Sequence, residues 1–372
     1  MTRKMKRTVS ILFLLIALLP LILAVVVRSI TFHPEDVQQQ PIFGAEAAPL
    51  RPTGESLKLL SFNVQYMAGK NYVFWYDMEG EAGPDTRPSA ADITKTIQEV
   101  ARIIREEDPD FVLLQEVNDG AVRTDGEDQL ARLLPLLPEE YVCHTSAFYL
   151  KSDFVPHPRL MGATGMKLTI ISKYRITHAT RYQLPIMESD ILRRQFQFKR
   201  CILEAAIPAA DGQPLSVLNT HLDAFAHGTG LMEQQMAIVD TVLSRLTQNG
   251  LPWIIGGDFN LLPPALTPPQ LAPYLKKYYD VNTPIGVLYE KYQAVPSSEQ
   301  LSNAGYEKWF THFPNNPIAK GPDKTIDYIF LSENMQLDSS YVRHHDTLHI
   351  SDHLPMVVSF RVKDETKIIT HK

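Results

Sequence analysis

The longest apolar run lies near the start of the chain. Residues 9–27 carry no charged side chain and are mostly Leu, Ile, Val and Ala. At about 1.5 Å per residue such a run spans roughly 28 Å, close to a hydrocarbon core of about 30 Å. Pro20 lies inside it, which a membrane helix tolerates. A cleaved signal peptide fits less well, since Ala24 is followed by three valines and Arg28 rather than by a small-x-small site. With Arg3, Lys4, Lys6 and Arg7 ahead of it, the run predicts a single transmembrane anchor over residues 1–28. Its N-terminus would be cytoplasmic and the remainder extracytoplasmic, in a periplasm or outside the cell. Residues 29–56, rich in Pro, Gln, Ala and Glu and without periodicity, read as a flexible tether.

From residue 57 the pattern changes to short apolar runs alternating with helical spacing. Runs at 57–62, 111–114, 166–172, 201–207, 215–219, 253–255, 328–331 and 356–362 predict strands. Ile93, Ile97, Val100 and Ile104 share one face of a helix, with Ser89 and Asp92 placed as a capping box. Leu231, Ile238, Val242 and Leu246 mark a second helix. Helices separate some strands and short turns separate others, so the domain, 57–363, should be α/β with mixed sheets. Residues 364–372 read as a tail. Two connections, 66–87 with Tyr72, Phe74, Trp75 and Tyr76 and the Pro- and Tyr-rich 262–324, are long enough to suggest functional loops.

Charge narrows the choice of partner. The whole chain has 36 basic and 42 acidic side chains, and beyond Arg28 the balance is 31 against 42, or −11. Binding nucleic acid without sequence preference usually needs a basic surface. Only Arg193, Arg194, Lys199 and Arg200 are densely basic, as a solvated edge or as a phosphate-facing patch. Cys143 and Cys201 both fall in strand-like segments and read as buried thiols, although an oxidising compartment would allow them to pair.

The chemistry lies where apolar runs stop. LLSFN ends in Asn63, FVLLQE in Glu116 and SVLNTH in His221, with Asp223 just beyond, while WIIGGDFN delivers Asp258 and Asn260. Asp327 precedes one strand, and Asp352 and His353 precede another. If the last two strands run antiparallel to the first four, all these groups gather on one edge, where α/β sheets commonly bind ligands. Several carboxylates with Asn and His, and no Cys, suit a hard cation such as Mg²⁺ or Mn²⁺ more than zinc. Such a cation serves an anionic, oxygen-rich substrate, which points to a phosphate ester. Singly, each residue has an ordinary reading as turn former, solvated acid or structural histidine. Eight such groups in order at strand ends do not.

Asn63 in SFNVQ, Glu116 in LLQEV, His221 in NTHLD, Asp258 and Asn260 in GGDFN, Asp327 in TIDYIF, and Asp352 and His353 in SDHLP form an ordered set. It resembles the signature of the endonuclease/exonuclease/phosphatase superfamily. The resemblance implies a four-layer sandwich of two packed mixed sheets flanked by helices, as in deoxyribonuclease I. It also implies that Asn63, Glu116 and Asp352 hold the metal and that Asp258 orients or activates water. Asn260 would touch phosphate or metal, His221 the scissile phosphate, and His353 would act as donor or base with Asp327 orienting it. Whether Asp258 or His353 is the base stays open. Arg200 and Asp223 are candidates for substrate contact, and Gly165, before KLTIIS, for backbone geometry beside the site.

The expected activity is metal-dependent phosphodiester hydrolysis, without an obligate protein partner. A phospholipid or other extracytoplasmic phosphodiester is favoured by the anchor and the aromatic loop. Endonuclease action on DNA or RNA is the alternative, and a non-catalytic binding protein on the same fold the alternative of another class.

Overall fold

The computed structural model describes residues 3–210, 212–224, 226, 228–264 and 282–363. The expected tail lies outside these residues, as do residues 265–281 of the second long connection.

Each sheet is built around one parallel pair. In the first, β3 (Leu57–Asn63) runs parallel to β4 (Phe111–Asn118), and in the second β9 (Leu215–His221) runs parallel to β10 (Trp253–Asp258). The remaining pairings are antiparallel. β5 (Cys143–Val155), β6 (Gly162–Ser172), β13 (Met335–Val342) and β14 (Met356–Val362) extend the first sheet, with β2 (Ile42–Phe43) at its edge, in the order β13-β14-β3-β4-β6-β5-β2. β1 (Val37–Gln39), β7 (His178–Gln183), β8 (Cys201–Ile207), β11 (Gln293–Val295) and β12 (Asp327–Leu331) extend the second, in the order β1-β7-β8-β9-β10-β12-β11.

Alternation along the strands makes the layers. On β3, Leu57 and Leu59 face the other sheet, while Leu60 and Phe62 pack under helix α2 (Ala90–Glu107) with Ile97, Val100 and Ile104. On the other side Ile202, Leu218 and Ile255 meet Met236, Val239 and Leu243 of α5 (Leu231–Gln248). Both strand faces are apolar because both are covered. Half of the expected capping box forms: Ser89 Oγ accepts from Asp92 N at 3.1 Å, but the Ser89 amide donates to the Tyr72 hydroxyl. Cys143 and Cys201 are buried free thiols.

Three expectations require correction. First, among the described residues no helix is long and apolar enough to cross a membrane, which overturns the transmembrane anchor and the localisation drawn from it. Residues 9–17 of that run contribute no described side chains. The helix that forms, α1 (Arg3–Ile30), ends against the domain: Val27 is buried, Ser152 Oγ donates to the Ile30 carbonyl at 3.0 Å, and the Phe32 amide donates to Lys151 O at 3.2 Å. Second, residues 29–56 do not form a free tether, because β1 pairs with β7 and β2 with β5, closing one edge of each sheet. Edge strands expose unpaired amides, and short local segments satisfy them here. Third, the basic stretch is not one solvated strand edge. Arg193 and Arg194 lie exposed on a short helix, α4 (Ile191–Phe196), whereas Lys199 and Arg200 are buried.

Gly165 has the geometric role expected of it, since a Cβ there would stand 1.8 Å from the Asp119 carbonyl oxygen. Gly165→Ala should therefore cost about 1–3 kcal/mol of stability as overpacking. A lowered midpoint in thermal unfolding followed by circular dichroism is the expected result; an unchanged midpoint would show that β6 can shift at no cost.

Candidate functional site

The two parallel pairs end at the same edge. Asn63 closes β3, His221 and Asp258 are register partners at the ends of β9 and β10, and Asp327 opens β12 opposite Asp258. β12 and β14 run antiparallel to β10 and β3, so Asp327, Asp352 and His353 arrive at that edge from the opposite direction. The condition set by the sequence pattern is met.

Glu116 reaches the edge through a bulge. Leu114 pairs with Thr169 and Val117 with Lys167, so Gln115 and Glu116 together face a single residue of β6. Glu116 has φ +62°, a costly conformation for a residue with a Cβ, and the turn directs its carboxylate toward Asn63. Asn260, at φ +51°, sits in the same left-handed region, which Asn tolerates better than most.

Asp258 is the centre of the cluster. Its Oδ2 lies 3.0 Å from Asn63 Nδ2, 3.3 Å from His221 Nε2 and 3.5 Å from His353 Nε2. Its Oδ1 accepts from the Asn260 amide at 3.0 Å, and Asn260 Nδ2 donates to Leu222 O. His353 Nδ1 contacts Asp327 Oδ2 at 2.8 Å. Burial disfavours a charged His353, but the Asp327 and Asp258 carboxylates outweigh it and hold the imidazole above its ordinary range. Burial raises Asp258, with His353 opposing and Asp327 reinforcing. His221 is driven well below its usual value by burial and then by Arg200, so its ring is neutral.

Glu116 and Asp352 form the other side. Burial and then Asp352 raise Glu116. Gln65, two residues beyond Asn63, donates from Nε2 to Asp352 Oδ2 at 3.0 Å, and its own buried Oε1 has no hydrogen-bond partner. Asn63 directs its nitrogen at Glu116 (3.3 Å) and Asp258, while its oxygen accepts from the Gln65 amide. Two partly buried carboxylates, Glu116 raised by burial and by the charge of Asp352, beside an orphaned amide oxygen, are a donor set suited to a hard cation. Two further groups, His312 with Asp352 and His353, and Asp258 with Asp327 and His353, also bring possible ligand atoms within 4.8 Å of one another.

Arg200 is buried over the rings of Phe198 (4.3 Å) and Tyr149 (4.8 Å), with Nε and Nη1 lacking hydrogen-bond partners. Asp223, just beyond the end of β9, faces Arg200. Its carboxylate sits 3.7 Å from Arg200 Nε and accepts from Gln235 Nε2 at 2.7 Å. Sequence reasoning missed Gln65, Tyr149 (hydroxyl 3.4 Å from His221 Nδ1), His312 and Lys324. For Gln65 the spacing after Asn63 was a usable signal; the other three lie in segments with no pattern pointing to the site.

Asp327→Asn should move the titration of His353 downward, because burial then acts with less opposition. Imidazole NMR, with His353→Gln identifying the signal, is the check, and an unmoved titration would remove Asp327 as the source of the shift.

The sequence profile described as "Endonuclease/Exonuclease/phosphatase family" matches residues 60–353. No curated protein matches the chain by sequence. Among solved structures, the endonuclease/exonuclease/phosphatase from Beutenbergia cavernae DSM 12333 has TM-score 0.55 and 20% identity, covering 83% of this chain and 72% of that one. The family protein from Leptotrichia buccalis C-1013-b has TM-score 0.51 and 17% identity, covering 81% and 98%. The human Nocturnin catalytic domain, solved with a bound sulfate anion, has TM-score 0.50 and 16% identity, covering 86% and 96%. These likenesses concern the fold.

Proposed function

The chain belongs to the endonuclease/exonuclease/phosphatase family, and from that premise we propose that it hydrolyses phosphodiesters with a divalent cation, Mg²⁺ or Mn²⁺. The observation that supports this reading most is the position of Asp258, a buried carboxylate facing nitrogens of Asn63, His221 and His353. Glu116 and Asp352 would hold the cation, with Asn63 and Gln65 beside them. The cation would polarise the phosphoryl oxygen and offset its growing charge.

The protein groups divide the remaining work. Asp258, raised by burial, is suited to take a proton from water. His353, kept charged by Asp327, is suited to donate to a phosphoryl or leaving oxygen rather than to act as base. Neutral His221 has Nε2 3.3 Å from Asp258 and supplies a second N–H, and Asn260 fixes the Asp258 carboxylate through its amide. Arg200, with buried unpaired N–H groups, would contact the substrate's anionic oxygens, and Asp223 would hold it in place. The contacts of Asp258 with His221 and His353, at 3.3 and 3.5 Å, are loose and would tighten around substrate.

The aromatic loop gives little support for a lipid surface. Phe74 is buried and Trp75 stacks on His157 at 5.0 Å. The acidic balance gives equally little to nucleic acid, and Arg200 suits either class of phosphodiester. The substrate is therefore best found by comparison.

Full-length protein should hydrolyse bis-p-nitrophenyl phosphate with Mg²⁺ or Mn²⁺ and lose that activity with chelator. Asp258→Asn should lower kcat by about 10²–10⁴, and Glu116→Ala should raise the cation concentration needed at least about tenfold. Plasmid DNA, sphingomyelin and an inositol phospholipid, offered side by side, assign the class. Turnover unaffected by chelator would defeat the metal-dependent reading.

A further inference from the structure

One imidazole at this edge has no part in the scheme above. His312 lies within a short segment held between the starts of two strands. Leu354 N donates to Thr311 O and Phe313 N to Asp352 O, both at 2.7 Å, while Thr311 Oγ1 accepts from the amides of Ile326 and Asp327. Its backbone bridges both Lys324 and His353. The ring stands edge-on to His353, centroids 4.8 Å apart at 85°, and a nitrogen of His312 shares a 4.8 Å cluster with Asp352 and His353. Its side chain is 14% exposed, so the edge is open to a ligand there.

The partner of the other face decides what this ring can do. Lys324 Nζ lies 2.8 Å from His312 Nδ1 and 3.2 Å from Asp323. An ammonium has three donors and no lone pair, so His312 Nδ1 accepts from it, the Asp323 carboxylate standing farther off at 3.8 Å. The ring's proton then resides on Nε2. A nitrogen carrying a proton does not ligate a metal, so in this tautomer the Nε2 of His312 acts as a donor rather than as a ligand. It leaves an N–H donor on a ring that borders Asp352 and His353, where a phosphoryl group would sit.

We propose that His312 is a third imidazole of the site, contacting the substrate by donating its Nε2–H to a non-bridging phosphoryl oxygen, with Lys324 as the positioning residue that fixes the tautomer. This inference rests on the phosphoesterase reading for its substrate. It does not depend on the cation or on the identity of the leaving group. Preorganised donors of this kind act because their orientation is set before substrate arrives, and backbone bonds on both sides of His312 supply that orientation.

Three measurements on the full chain test it. Nitrogen-15 NMR of the imidazoles should show His312 protonated on Nε2, with that signal shifting on titration with inorganic phosphate. His312→Ala should lower kcat/KM for bis-p-nitrophenyl phosphate about tenfold or more and weaken phosphate binding in parallel. His312→Gln, which places an amide N–H near Nε2, should recover much of both. Lys324→Met should move the proton toward Nδ1 and lower kcat/KM while His312 remains. A proton on Nδ1 in the wild type, phosphate binding unchanged in His312→Ala, or a loss of cation binding alone would each overturn the proposal. If the wild type hydrolyses nothing, the phosphoesterase reading fails, while the tautomer and the phosphate titration still decide the role of His312.

Discussion

The site depends on one irregularity in a strand and on the side chain that makes it affordable. The bulge at Gln115 and Glu116 breaks the β4–β6 ladder in the buried middle of the molecule. Buried carbonyls left without donors would cost on the order of 1–3 kcal/mol each. Asn219, from β9 of the opposite sheet, closes the gap: its Nδ2 donates to Leu114 O and Thr169 O at 2.9 Å, and its Oδ1 accepts from Gln115 Nε2 at 2.7 Å. The same amide thus stabilises the bulge that aims Glu116 and locks the two sheets in register.

With the sheets held in this way, electrostatics follows from crowding. Asp258, Asp327, Glu116 and Asp352 are brought to one edge, where burial raises Asp258 and Glu116. His353 remains charged because two carboxylates outweigh its desolvation, whereas His221, facing Arg200, remains neutral. Two histidines at one edge acquire opposite states from their neighbours alone.

The described parts of the two long connections meet one another. Lys70 Nζ donates to Phe313 O, and Asn315 Nδ2 donates to Asp77 Oδ2 at 3.2 Å, so the aromatic loop after β3 and the segment carrying His312 brace one another. The aromatic side chains of that loop serve this packing. Tyr66 is buried, and Phe74 stacks against Tyr72 and Tyr76.

Much of this was legible in the residues themselves. Apolar runs ending in Asn63, Glu116, His221 and Asp258 declare both a strand and the group at its end, because period and terminus are local properties. The mixed α/β class and the convergence of eight polar residues at one edge follow from those ends. The N-terminal run shows the limit of that reasoning: hydropathy counts residues but does not see that Ile30 and Phe32 bond to β5, so it supplied an anchor where the fold has a docked helix end. Residues 37–43 carry no strand pattern because the demand for a partner comes from the edges of β7 and β5, distant in sequence. The roles of Asn219, Gln65, His312 and Lys324 were likewise decided only in three dimensions. A side chain's ionisation, tautomer and donor direction depend on what lies against it, and what lies against these four comes from strands and loops far away along the chain.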